Sequence, residues 1–406
     1  MMKLEKEIQE QLLHRSIETG ETLKDILSLN DLTYDDLHYA DCFGMDKCDN
    51  AKKYPSLDDM IPSHEGIPAV SFFSGAGGLD VGFHYAGFDN IISIEHIELF
   101  CNTLRLNNPE KTVVGPPCYE GDISKREDME TILRTLGVST PFNGVFHGGP
   151  PCQSFSIAAN QRFNKTGDNF KRTGFADKEK GMLLFDYIWF IKTFMPLAFL
   201  IENVAGIAEF DDDKIIDKAL NELRELGYKI EEPRILDAAY FDVPQHRKRW
   251  IVMGTRGNKA ITYPAPSEEP MICEPVFSKP LGNVSNHLTR MHKAESVLRY
   301  MNLSPGQRDH LGRVDRLDPK KPSKTVIAGG VKGGGRSHLH PFIPRTISVR
   351  ECARLQTFPD GYTFIGTTAR QFTQVGNAVP PMFAYKLALQ IKDAIIEDWE
   401  ENNNAF

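Results

Sequence analysis

The sequence predicts an α/β fold, a doubly wound, mostly parallel sheet with a smaller irregular domain attached. Three observations predict it. From residue 69 short apolar segments alternate with amphipathic ones, the pattern of strands joined by crossover helices. A glycine-rich turn, Ser74-Gly-Ala-Gly-Gly78, directly follows the first apolar segment, where a strand would hand over to a helix and a ligand could approach the backbone. After about residue 257 the alternation gives way to Pro/Gly-rich basic sequence, with Gly329-Gly330 and Gly333-Gly-Gly335 as loop markers.

In chain order, residues 1–65 read as an acidic helical extension. Glu21–Leu27 and Asp31–Leu37 are its clearest helical stretches, the second with Asn30 or Asp31 as cap. Ile61–Pro68 reads as a linker. Candidate strands follow at Ala69–Phe73, Ile91–Glu95, Gly144–His147, Leu197–Ile201, Lys229–Leu236 and Arg249–Gly254. Helices are expected at Met182–Thr193, Lys214–Leu226 and about Pro381–Trp399. The expected divisions are 66–256 for the catalytic sheet and 257–369 for the smaller domain. Residues 370–406 should pack back on the sheet.

Composition narrows the function classes. The chain has 406 residues, 41% hydrophobic and 25% charged, ordinary for a soluble globular protein. No run is long enough to span a bilayer, and the charged N-terminus does not read as a secretion signal. Seven cysteines without a CxxC pair argue against a zinc site or a disulfide framework, and for a reducing cytoplasm. Net charge is −8, yet residues 242–350 carry 19 Lys/Arg against 8 Asp/Glu, while residues 1–65 carry 7 against 15. A basic block beside an acidic body suits a polyanion partner, or is simply a solvated face.

Gly148-Gly-Pro-Pro-Cys152-Gln-Ser-Phe-Ser156 sets one thiol on a turn stiffened by two prolines. Cys152 is a candidate nucleophile, although a lone cysteine is more often a buried packing residue. Eighteen residues beyond Gly77, Glu95 stands where an acid holds ribose hydroxyls. The glycine turn lacks the third glycine of a dinucleotide fingerprint and has no P-loop lysine, which counts against NAD and ATP. Asp122, in Gly121-Asp-Ile123, could accept a hydrogen bond from an adenine amino group. His147 reads as a hydrogen-bonded strand-end residue rather than half of a Cys–His dyad.

Taken in order, these pieces resemble the cytosine-5 DNA methyltransferases, which use S-adenosylmethionine. Phe73-Ser-Gly-Ala-Gly-Gly78, Glu95 and Gly121-Asp122-Ile123 look like the first three motifs, and Gly149–Ser156 looks like the catalytic loop. Glu202-Asn-Val204, Gln245-His-Arg247-Lys-Arg249, Arg350–Pro359 and Gln374–Pro380 are similar to the later ones. The likeness covers roughly 66–254 and 345–382, and makes 257–345 the variable target-recognition region. One departure is Ser71, where many members carry aspartate.

The resemblance implies a Rossmann-like methyltransferase sheet and a definite chemistry. Cys152 would attack carbon 6 of a flipped cytosine, and Glu202 would act at ring nitrogen N3 if burial raises its pKa. Arg249 would bind the cytosine O2 and steady Glu202, with Arg247 serving loop or phosphate contacts. Phe73, Gly75, Gly77, Glu95, His96, Asp122, Ile123, Pro151, Leu183 and Asn377 would hold S-adenosylmethionine and its product S-adenosylhomocysteine, with no metal. Gln153, Ser156, Arg162, Gln245, Arg290, Arg313, Lys332 and Arg336 would face double-stranded DNA. Arg299, Arg308 and Arg316 are further base or phosphate candidates, and residues 157–181 read as a closing lid. A monomer in the bacterial cytoplasm at the nucleoid is expected, without membrane contact, in a restriction–modification or other anti-phage setting, beside a cognate endonuclease or other defence proteins. A tRNA methyltransferase of the same fold is the main rival. Its Cys-Phe-Thr tripeptide does not occur here.

Overall fold

The computed structural model describes residues 4–43, 56–151, 182–210, 214–328 and 338–404. An eight-stranded sheet forms the centre of the described residues. Its strands are β1 (Ile67–Phe72), β2 (Phe88–Ile94), β3 (Thr112–Val114), β4 (Val145–Gly148), β5 (Ala198–Val204), β6 (Lys229–Ile230), β7 (Arg234–Asp237) and β8 (Lys248–Thr255). The order in space is β3-β2-β1-β4-β5-β8-β6, with β7 also paired to β8. The pairs from β3 through β5 are parallel. Strand β8 is antiparallel to β5, β6 and β7. The predicted α/β class is therefore present, with an antiparallel edge.

Both faces of the sheet are covered, which is why its strands read as almost unbroken apolar runs. One face packs against helices Leu183–Phe194 and Ile215–Glu225 through Phe190, Ile191, Phe194, Leu220 and Leu223. The other meets helices Gly78–Tyr85, Val349–Leu355 and Pro381–Asn404. Contact between the first and last of these is so close that a Cβ on Gly82 would lie 2.5 Å from the Ala384 Cβ. Only glycine fits there.

Two local expectations differ from the structure, and one strand was not expected. The segment Lys229–Leu236 is two strands, interrupted at Glu231-Glu232-Pro233, because proline has no N–H for the ladder. Strand β3 has only three residues, too few for a period-2 signal. Asp31–Leu37 contains a single 3-10 turn, Tyr34–Asp36, whose cap is Thr33 in a reciprocal capping box with Asp36. Asp31 sits at φ 55° and caps nothing.

In the extension, helices Lys6–Thr19 and Leu23–Leu29 bury Leu13, Ile26 and Leu27 against Val297 and Met301 of helix Ala294–Met301. The region after 257 is mostly loop, with one two-stranded hairpin, Arg308–Asp309 with Val314–Asp315. No described helix is long and apolar enough to cross a membrane.

Candidate active site

The chain runs from β1 outward to β2 and β3, then returns to lay β4 and β5 on the opposite side of β1. Open α/β sheets bind ligands outside the carboxyl ends of the strands at such a reversal. Those ends carry Phe73–Gly77 after β1, Glu95 after β2, Gly149-Pro-Pro151 after β4 and Glu202–Val204 closing β5. Topology alone gathers residues spread from Phe73 to Val204.

On the β1 side, Glu95 is 6% exposed. Its carboxylate accepts the Gly75 N–H at 2.8 Å and the Ile97 N–H at 2.8 Å. Each oxygen keeps acceptor capacity for a further donor. His96 is exposed and its Nδ1 lies 3.4 Å from the Glu95 carboxylate. Phe73 turns at φ 53° and Gly77 at φ 82°. At Gly77 a Cβ would come within 2.6 Å of the Tyr362 hydroxyl, which donates to the Ala76 carbonyl at 2.8 Å. Gly121 is equally confined, 2.2 Å from the Glu95 carbonyl by the same measure, so Asp122 and the buried Ile123 stand beside Glu95. The Asp122 Oδ1 accepts both the N–H and the hydroxyl of Ser124. Leu183 opens its helix half-buried and, like Phe73, packs against the apolar layer on that face of the sheet. Asn377 is exposed at the end of helix Thr368–Asn377, which is pinned to helix Glu98–Asn107 by Thr103 donating to Gln374 at 2.6 Å.

On the β5 side, the antiparallel register sets Val204 opposite Arg249 and Glu202 opposite Ile251. Glu202 and Arg249 are thus diagonal neighbours on one face, and Arg249 Nε lies 2.7 Å from Glu202 Oε1. Glu202 is 8% exposed. Its other oxygen would stand 2.7 Å from a Cβ at position 149, so only glycine leaves the carboxylate its place. Asn203 donates to the Pro150 carbonyl at 3.3 Å and accepts the Val204 N–H at 2.8 Å. That side chain ties the end of β5 to the Pro-Pro turn, and the residue after Pro151 is Cys152. Cys152, Gln153, Ser156, Arg162 and the expected lid 157–181 lie outside the described residues.

A family model described as C-5 cytosine-specific DNA methylase matches residues 67–393. The chain belongs to the C-5 cytosine-specific DNA methylases. The methylase is 32% identical to the Type II methyltransferase M1.HphI of Haemophilus parahaemolyticus over 79% of this chain and 85% of that one. It is 28% identical to M.NgoFVII of Neisseria gonorrhoeae over 85% and 91%. A solved structure of a protein encoded within an Escherichia coli prophage aligns with a TM-score of 0.64 at 24% identity, over 82% of this chain and 100% of that one. At that identity the likeness speaks for the fold.

Within this methylase several expected contact residues have other employment. Arg247 is 2% exposed and donates to the carbonyls of Gly376 at 3.0 Å and Val326 at 3.4 Å. It joins the sheet to the later segments, not to phosphate. Gln245 is fully buried, donating to Gln356 at 2.9 Å and accepting the Val326 N–H at 2.7 Å, so it does not face DNA. Arg316 is 2% exposed and paired with Asp41. Arg299 and Arg308 are paired with Asp309 and Asp315. Arg290 and Arg313 are exposed, and Lys332 and Arg336 lie outside the described residues. The basic block therefore presents less positive charge than its sequence count, because Arg247, Arg316, Arg345 and Arg350 are all buried.

Sequence reasoning missed Asp80 and Tyr362 as site-building residues, and named Asn203 only as part of the Glu202–Val204 motif. Ser71 and Ser93 each donate to the buried Asp80 carboxylate at 2.6 Å, and burial raises its pKa. Ser71 therefore braces the turn from below. The departure at 71 was a usable signal; nothing local foretells Tyr362. His147 stacks on Phe83 at 4.0 Å and bonds Asn90 at 2.8 Å. Burial pushes its pKa down to about 3, which keeps it neutral in the core and outside any dyad.

Proposed function

We propose that this methylase transfers a methyl group from S-adenosylmethionine to carbon 5 of a cytosine swung out of duplex DNA, through a covalent bond from Cys152. The observation that carries the reading is the Glu202–Arg249 pair at 2.7 Å, held beside a Pro-Pro turn that leads directly into Cys152.

Carbon 5 of cytosine is a weak nucleophile. Attack of the Cys152 thiolate at carbon 6 forms a C–S bond and pushes the ring electrons toward N3 and carbon 5. Glu202 is placed to bond or protonate N3 as that charge develops. Arg249, whose planar set of donors suits a carbonyl as well as a carboxylate, would steady both Glu202 and the cytosine O2. Methylation at carbon 5, loss of its proton and expulsion of the thiolate complete the exchange. Because carbon 6 is stacked inside a duplex, the base must leave the helix first.

The β1 side fits S-adenosylmethionine, which supplies the electrophilic methyl group. Glu95 offers a buried acceptor for ribose hydroxyls. Gly77 and Gly121 permit close backbone approach, and Phe73, Ile123 and Leu183 offer apolar surface. The exposed Lys248, Arg290, Lys293 and Arg313 would meet phosphates. The Type II names of the relatives favour a place in a restriction–modification system, with a cognate endonuclease acting on the same sequence.

Cys152→Ser tests the mechanism. We expect loss of tritiated methyl transfer to DNA with S-adenosylhomocysteine binding retained. A duplex carrying 5-fluorocytosine in the target should give a covalent adduct with the unaltered chain and cofactor, seen as a shifted band on a denaturing gel. Transfer by the serine variant, or no adduct, would overturn the covalent route. Transfer to tRNA and not DNA would favour the RNA rival.

A further inference from the structure

The family model begins at residue 67, yet the chain ahead of it is bonded into the region after 257. Arg316 closes the base of the hairpin Arg308–Asp315, where its N–H donates to the Gln307 carbonyl at 2.8 Å and its carbonyl accepts the Gly306 N–H at 3.0 Å. Its side chain is 2% exposed, and the carboxylate it pairs with belongs to Asp41, at 2.8 and 2.9 Å. Tyr39 lies under the same guanidinium, 3.7 Å from ring centroid to Arg316 Cζ, a favourable cation–π contact when desolvated. The Tyr39 hydroxyl donates to the His340 carbonyl at 2.9 Å.

A second joint is made by Asp35. Arg345 is 1% exposed and donates to both oxygens of Glu351 at 2.8 Å, while its Nε donates to Asp35 at 2.5 Å. His287 bonds the other Asp35 oxygen at 3.1 Å. A buried arginine deprived of its carboxylate is strongly destabilising, so Asp41 is a requirement of the region it enters, while Asp35 adds a second carboxylate to Arg345 beside Glu351. What that region displays is the hairpin tip His310–Arg313, with Leu311 76% exposed and Arg313 in a left-handed turn at φ 54°.

We propose that residues 34–42 are a positioning element for target recognition. Asp41 and Tyr39 hold Arg316, and Asp35 holds Arg345, so that the hairpin 308–315 and residues 338–341 keep the orientation that reads DNA. The extension contacts the reading surface from behind, which is why it can be acidic. This rests on the DNA methyl-transfer reading above.

The test uses the full chain. Bisulfite sequencing of DNA from cells expressing it first identifies the methylated motif; no 5-methylcytosine there would sink the methyl-transfer reading itself. Asp41→Asn, the gentler Tyr39→Phe and the charge-retaining Asp41→Glu are then compared on duplexes with that motif or with one base of it changed. We expect Asp41→Asn to raise the DNA KM and erode discrimination between the duplexes by roughly tenfold, the scale of one base contact. Its kcat at saturating DNA and its S-adenosylhomocysteine affinity should hold. Tyr39→Phe should shift the same quantities less, and Asp41→Glu should recover part of the loss. If Asp41→Asn does not fold, Tyr39→Phe decides. Unchanged KM and discrimination, or a uniform fall in kcat and cofactor affinity, overturn the proposal.

Discussion

Two ion-paired regions of this molecule are built from the same residue types and differ in how completely they are satisfied. At the carboxyl ends of the strands, Glu202 meets Arg249 through one oxygen, and its other oxygen lies where Gly149 leaves it room. Under the hairpin, Glu351 gives both oxygens to Arg345, accepts the Ser348 N–H at 2.6 Å and closes a helix capping box. Its pKa is held down to about 2 by the neighbouring guanidinium against the opposing effect of burial. A saturated pair cannot exchange partners and serves the fold. A pair set at a strand end beside the Pro-Pro turn would, in the proposed reaction, give a proton or a hydrogen bond to the substrate N3.

The largest effect that would break this contrast is expected at the unsaturated pair. Glu202→Gln keeps shape and hydrogen bonding but removes the group that takes up charge at N3. Loss of a positioned acid or base costs about 10²–10⁴ in rate. Single-turnover methyl transfer should show that fall in the rate constant of the chemical step, beyond what any shift of the thermal midpoint accounts for. A kcat within a factor of a few of the parent would mean Glu202 is structural after all.

Glu351→Gln should do the reverse. Breaking a buried pair by removing one partner costs about 3–5 kcal/mol, visible as a lower midpoint in a circular-dichroism melt, with kcat at a permissive temperature unaltered. The pH dependence follows. Because the folded pKa of Glu351 lies below its ordinary 4.5, its stabilisation is fully present above pH 4.5 and fades as pH falls toward 2. The variant should lack that limb of the acid-unfolding curve; an identical curve would contradict the pairing.

The smallest effect sharpens the comparison from the cofactor side. Ser71→Ala removes one of two hydroxyl donors to the buried Asp80. A buried acceptor left short costs about 1–3 kcal/mol, so urea unfolding should show a loss in that range. Cofactor affinity should fall only slightly. A large loss of affinity with unaltered stability would make Ser71 a ligand contact instead of a brace.

Most of the sheet was legible because strands buried on both faces must be apolar, and proline and glycine mark their ends. What escaped was short or interrupted, such as Thr112–Val114 and the break at Pro233. The same holds for the site. Glu95, Glu202 and Arg249 are proposed from residue type, order and resemblance, whereas Arg247 and Gln245 carry the same polar lettering and are buried struts. Residue type does not encode exposure, and only packing separates an arginine that meets phosphate from one that meets a carbonyl.

By itself, then, the sequence determined the α/β class, which follows from local periodicity, and its ordered motifs carried the resemblance to the family. The tertiary structure alone decided that β8 runs antiparallel and so brings Arg249 to Glu202. It also decided that Tyr362 seals the glycine turn, and that Asp35 and Asp41 are internal counter-ions of a region some 300 residues further on. Such contacts join charges across sequence distances at which no periodicity survives, and a buried charge takes whichever partner the folded chain brings within reach.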